Sequence, residues 1–223
     1  MNVMQQNEGK ETSATRSAYM ALRQKILTGE LPAGEKLKIE QLRVMLDTGA
    51  SPVREALSLL TSDMLVERFD QRGFSAAAAS LANFQEILSL RCVLEDMALR
   101  QSIARATPAW EEQLVLAHHR MKRAGDEQDV ALFEVAHKSF HMAFLSNADS
   151  PILIRYCGQL YDLNIRYRYL AAGGTHYQKR DVSAEHEEIL DASVRGDADA
   201  ASTALINHYR VTGKYLSGPL SDL

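Results

Sequence analysis

The stretch 39–74 limits what this chain can fold into more than any other. Leu42, Met45 and Leu46 recur at helical spacing, with Glu40, Gln41 and Arg43 opposite them, so a short helix is expected. Gly49 interrupts the pattern and suits a tight corner. Ser51 can cap a second helix, and Pro52 fits its first turn, where the missing N–H would have no helical partner. Val53, Ala56, Leu57 and Leu60 then repeat on one face and should pack against the preceding helix. Arg54 stands off that face. Residues 65–69 and 74–76 alternate around Asp70-Gln71-Arg72-Gly73, which reads as a hairpin. Two helices meeting at a corner, then a hairpin, make a winged helix-turn-helix. In such motifs the leading end of the second helix enters the major groove of DNA. A guanidinium at position 54 could bond a guanine edge in two places or grip a phosphate.

Upstream, Tyr19, Leu22, Ile26 and Leu27 mark a helix from about Ser17, stopped by Gly29. Residues 31–37 read as a turn leading into a short extended piece, and the polar residues 1–14 as a mobile arm. A first domain over 15–78 follows. Charge alone makes no case for nucleic acid. The whole chain of 223 residues carries −4, and residues 1–78 hold 10 basic and 10 acidic side chains. DNA binding therefore requires Lys36, Lys38, Arg54 and Arg72, with Arg16 and Arg23, to share a face.

Residues 79–218 read as a second, all-helical domain. Its first helix spans about 80–104, with Phe84, Ile87, Leu88, Val93 or Leu94, and Leu99 inward. The second opens at Thr107-Pro108 and ends at Gly125, and the third runs from near Asp129 to about Asn147. The fourth opens at Ser150-Pro151 and runs to about Leu170, where Ala171-Ala172-Gly173-Gly174 ends it. The fifth covers about 181–195 and the sixth about 197–216. The fold class is thus mostly α: a winged head with a small β-hairpin, then an antiparallel six-helix bundle. Cys92 and Cys157 sit in apolar helical patterns and read as reduced core residues. No apolar run approaches the roughly 20 residues of a membrane span, and no signal peptide opens the chain, so a cytoplasmic protein is expected.

His137 and His141 are four apart and share a helix face; His186 and His208 lie on the two helices that end the chain. Converging, they could hold a divalent metal such as zinc or nickel. They could equally line a polar pocket and bind a ligand directly. A third reading is a metal-dependent hydrolase, with Glu185, Glu187 or Glu188 as base for a metal-bound water. It leaves the winged head without a role.

Pro52-Val53-Arg54-Glu55-Ala56-Leu57, Leu65-Val66 and Arg72-Gly73-Phe74 resemble the winged helix-turn-helix of GntR-family transcription regulators. Gly49-Ala50-Ser51 stands where Ser-Arg-Thr is common, so a DNA-contacting arginine is missing. Asp63-Met64 replaces a common Glu-Gly. The resemblance implies contacts to an inverted-repeat operator from Lys36, Lys38, Ser51, Val53, Arg54, Arg72 and Gly73 of a homodimer. His137-Lys138-Ser139-Phe140-His141, Asn147, the run 185–190, Gly196-Asp197, Ala200-Ala201 and His208, with Arg91 and Glu95, resemble the effector domain of the family's FadR-type branch, in its shorter VanR-like form. That domain often holds a metal on one aspartate and three histidines. The histidines correspond to His141, His186 and His208, and His137 takes the aspartate's place. The exchange leaves the ligand set one negative charge poorer and should favour borderline metals over magnesium. The stretch 161–169 is similar to regulators that sense small dicarboxylates. A carboxylate effector is therefore implied, with Arg91, Tyr161, Asn164 and Arg168 as contacts and repression lifted by the metabolite as the usual outcome. Each contact has a blander alternative: Arg91 could pair with Glu95 one turn on, Asn164 could be a buried polar residue, and Arg168 could face solvent.

Overall fold

The computed structural model describes residues 3–127, 130–171 and 181–221. Its elements in order are α1 (Val3–Leu27), β1 (Lys36–Leu37), α2 (Ile39–Met45), α3 (Ala50–Ser62), β2 (Val66–Phe69), β3 (Gly73–Ala76), α4 (Leu81–Ala104), α5 (Pro108–Asp126), α6 (Val130–Leu145), α7 (Pro151–Ala171), α8 (Val182–Val194) and α9 (Ala198–Leu220). They divide into two compact units. The first holds the chain up to Ser80 together with α7 from Ile165 onward; the second holds Leu81–Asn164, α8 and α9.

In the first unit, α1 begins at Val3, so the expected arm and the expected start near Ser17 both fall inside a helix. Gln5, Gln6, Glu8, Lys10 and Glu11 are good helix formers, and polarity alone did not make them loop. Leu22 and Ile26 of α1 and Val53, Ala56, Leu57 and Leu60 of α3 are fully buried where the two helices pack. Tyr19 Oη donates to Asp63 Oδ2 at 2.7 Å, and Thr15 Oγ1 donates to Glu55 Oε2 at 2.9 Å. Only Leu42 of α2 is buried; Met45, expected inward, is 49% exposed.

The corner between α2 and α3 differs from expectation. Asp47 takes the left-handed conformation (φ +47°), while Gly49 is extended and serves as N-cap. A Cβ on Gly49 would stand 3.4 Å from Pro52 Cδ, an ordinary contact, so the turn does not depend on glycine there. Ser51 lies inside the first turn rather than capping it, and its Oγ reaches Glu55 Oε1 at 3.4 Å. The end of α3 is a Schellman motif: Leu65 N–H donates to Leu60 O and Met64 N–H to Thr61 O. Met64 occupies the position where glycine is usual, with φ +60°. The wing is larger than a hairpin. β1 joins it in the order β1-β3-β2, with Leu37 opposite Phe74 and Glu67 opposite Ser75. The end of α7 completes this unit: Tyr167 is buried and accepts from Ser80 N–H, and Arg166 Nη2 donates to Ala77 O.

In the second unit α9 packs on both α4 and α8, and α5 on both α6 and α8, around Leu99, Trp110, Leu114, Phe140, Phe144, Ile189 and Leu205. Thr107 caps α5 by accepting from Trp110 N–H, with Pro108 following, and the Trp110 indole N–H donates to Ala143 O at 3.0 Å. Asp181 and Asp197 cap α8 and α9. On α4, Leu94 is partly buried and Val93 is 58% exposed, which resolves the sequence alternative. The expected opening near Asp129 and the stop at Ala172-Gly173-Gly174 lie outside the described residues. α9 continues past Leu216 to Leu220, with Pro219 inside it. At Gly213 a Cβ would stand 2.3 Å from Leu88 Cδ2, so α4 and α9 touch where α9 has no side chain. Cys157 is buried and Cys92 half-buried, both as free thiols, and burial pushes the Cys157 thiol up to about 12. No described helix is long and apolar enough to cross a membrane.

Candidate functional site

In the first unit, the buried face of α3 leaves Ser51, Arg54 and Ser58 exposed on the other side. Lys36, Lys38, Arg72 and Gly73 are exposed as well. A groove of about 320 Å³ lies between α3 and the wing, lined in part by Arg54, Ser58, Arg68, Gln71 and Gly73. Among the described residues, Lys36, Lys38, Arg54, Arg68 and Arg72 form no ion pair. Such cations can neutralise phosphates without first breaking an internal contact. Val53 is a correction: it is 0% exposed, packed in the core, and cannot reach a base. Arg68 was missed. It is exposed on β2, across from Phe74 on β3.

In the second unit α6 delivers His137 and His141, α8 delivers His186 and α9 delivers His208. All four are buried, and one ligand atom from each lies within 4.8 Å of the others. His137 Nε2 is 3.2 Å from His141 Nε2 and 3.3 Å from His186 Nε2. A tetrahedral ion at about 2.0–2.1 Å from nitrogen has ligand–ligand edges of roughly 3.3–3.4 Å, and the two spacings from His137 match that edge. Three of the rings are anchored through their outer nitrogen. His137 Nδ1 meets Tyr161 Oη at 2.6 Å, His141 Nδ1 meets Tyr209 Oη at 3.1 Å, and His208 Nδ1 meets Glu185 Oε2 at 2.8 Å. With Nδ1 so engaged, Nε2 is turned inward as a ligand atom.

Beside the histidines lies a buried ion pair. Arg91 Nε donates to Glu95 Oε1 at 2.6 Å, and Tyr209 Oη donates to Glu95 Oε2 at 2.5 Å. The guanidinium stacks over Tyr209 and Tyr161, with its carbon 4.2 and 5.0 Å from the ring centres. Burial works against its charge, but Glu95 and then Tyr209 outweigh that and hold its pKa above the ordinary value. Burial first, then the charge of Glu95, pushes the Tyr209 phenol well up, so it stays a donor. Arg91 and Tyr161 thus belong to the histidine cluster, yet Arg91 is already matched by Glu95. Asn164 is buried; Arg168 is half-buried in the part of α7 that belongs to the first unit. Sequence spacing pointed to neither the Tyr209 bridge nor the Glu185 contact. Glu185 was considered only as a base.

Two family models match successive parts of the chain. Residues 14–75 match the family model described as bacterial regulatory proteins, gntR family, and residues 86–211 match the FCD domain. The uncharacterized HTH-type transcriptional regulator BphR of Paraburkholderia xenovorans is 34% identical, over 88% of this chain and 82% of its own. The HTH-type transcriptional repressor GlaR of Escherichia coli is 27% identical, over 90% and 94%. The solved structure of E. coli McbR/YncC superposes with a TM-score of 0.78 at 20% identity, covering 91% of this chain and 96% of that one. These relatives and domains are transcription regulators, which removes the hydrolase alternative. Glu187, moreover, is exposed and paired with Lys122. A DNA-binding head over 14–75 and an FCD domain over 86–211 place this chain in the GntR family of transcription regulators.

Proposed function

We propose that the chain is a metabolite-responsive repressor whose FCD domain binds a divalent metal, zinc or nickel, on His137, His141, His186 and His208, and with it a small carboxylic or dicarboxylic acid. The observation that carries the reading is the group of four buried imidazoles whose ligand atoms all lie within 4.8 Å of one another. The metal, when bound, supplies a Lewis-acidic anchor for an effector carboxylate and ties α6, α8 and α9 together. Tyr161 and Asn164 are retained as effector contacts. Arg91 spends two of its five N–H donors on Glu95 and stacks on Tyr161 and Tyr209, and it is retained as an effector contact through the remaining donors.

On DNA the repressor reads an inverted repeat as a homodimer, Arg54 at the base edges and Lys36, Lys38, Arg68, Arg72, Ser51 and Gly73 along the backbone. Leu90, Val93 and Met97 of α4 are 44%, 58% and 46% exposed at spacings of three and four, an apolar row that a second copy would cover. The test is a shift assay on the DNA upstream of the protein's own gene, with zinc present or chelated and with a panel of small dicarboxylates. A shift reversed by one acid only when metal is present is expected. A shift indifferent to every acid and to metal would refute the effector reading.

A further inference from the structure

We propose that Glu185 supplies, one shell outside the ligands, the negative charge that a carboxylate ligand would place inside the ring, and so tunes this centre for nitrogen-preferring metals; this rests on the metal reading above. The starting point is charge. Ligating imidazoles are neutral, so four of them leave a divalent ion's two charges uncompensated in a buried site. Two carboxylates stand beside the outer nitrogens of the rings. Glu185 Oε2 is 2.8 Å from His208 Nδ1, and Glu134 Oε2 is 4.0 Å from His137 Nδ1.

Glu185 has the closer and better directed contact. It sits in the first turn of α8, next in sequence to His186. Adjacent helical residues point about 100° apart, so this turn sends His186 into the ring and Glu185 toward α9. One helical turn thereby delivers a ligand and the carboxylate that orients another helix's ligand. A carboxylate on Nδ1–H fixes the tautomer and makes Nε2 a stronger donor. It adds charge without adding an oxygen ligand, which is what manganese and magnesium would need. With Glu185 22% exposed, solvent screens part of the effect, and the expected size is about 10–100-fold in metal affinity.

The test uses the full chain stripped with a chelator. Zinc affinity is read by competition with a chromogenic chelator, manganese affinity by calorimetry, and the site's ligand field by the visible spectrum of bound cobalt. Variants are E185Q, E185A, H137D and H137D with E185Q. E185Q should weaken zinc about 10–100-fold while leaving the metal-free melting curve in place. H137D should restore most of that loss in the E185Q background, gain less in the parent, and narrow the preference for zinc over manganese. If E185Q binds zinc as tightly as the parent while E185A does not, Glu185 only orients His208 and the charge role is overturned. Equal gains from H137D in both backgrounds would overturn it too, since the two carboxylates would not substitute for one another. A parent that takes up no zinc, nickel or cobalt removes the metal reading itself, before any variant is compared.

Discussion

Removing one partner of the Arg91–Glu95 pair should destabilise the second unit far more than removing both. The side chains are 4% and 1% exposed, so either residue left alone is a charge buried without its counter-ion. Such losses run to about 3–5 kcal/mol, a large share of the roughly 5–15 kcal/mol that holds a domain folded. For a protein of this size that lowers the melting midpoint by roughly 6–20 °C. Glu95→Leu should be the worse of the two, because Tyr209 also loses its acceptor. Replacing both, Arg91→Met with Glu95→Leu, exchanges an ion pair for apolar groups of similar volume and should return to within about 1–2 kcal/mol of the parent. The double-mutant cycle, followed by urea unfolding of the four proteins, should give a coupling energy of several kcal/mol. Single variants that each cost under about 1 kcal/mol and add in the double would refute the argument. Arg91 would then be uncommitted, and a carboxylate clamp for the effector would again be its natural role.

Four more outcomes can be checked. Arg54→Ala should weaken specific operator binding by about 1–3 kcal/mol in a shift assay without altering the melting curve. Arg72→Ala should weaken binding to all sequences alike and reduce the salt slope by about 1. Met64→Gly should stabilise the first unit by up to about 1 kcal/mol in chemical unfolding, since Met64 is left-handed and 53% exposed, with little packing to lose. His118 is buried against Phe140, and burial holds its imidazole pKa below the ordinary value of about 6.5. The unfolded chain therefore takes up the proton first. Stability from this residue is intact above about pH 6.5 and falls as the pH drops toward the folded value; His118→Phe should flatten that part of the stability–pH curve.

The fold was legible wherever apolar periodicity and punctuation agreed. Thr107-Pro108, Gly29 and the Val53, Ala56, Leu57, Leu60 face all stand where spacing puts them, because local chemistry decides such positions. What escaped was decided by tertiary contact. The polar start of α1 carries no apolar pattern to announce a helix, and the short extended piece read at the end of 31–37 gave no sign that it pairs with β3. The histidines were visible by spacing and likeness, but spacing does not say which outer group holds each ring. Tyr209 and Glu185 reach theirs from other helices, across 68 and 23 residues of chain.

Gly213 lies close to all of this chemistry. Where α9 crosses Leu88 it presents only hydrogen, and the Leu88 side chain occupies the space a Cβ would take. One turn before it on α9 stand His208 and Tyr209; nearly one turn beyond Leu88 on α4 stands Arg91, then Glu95. A methyl group at 213 would have to displace the end of the Leu88 side chain, within a turn or so of the place where a phenol bridges a carboxylate and an imidazole. The gap left on one helix is thus filled by a movable side chain from the other, so the neighbourhood of the polar cluster can give at that point without its backbone moving.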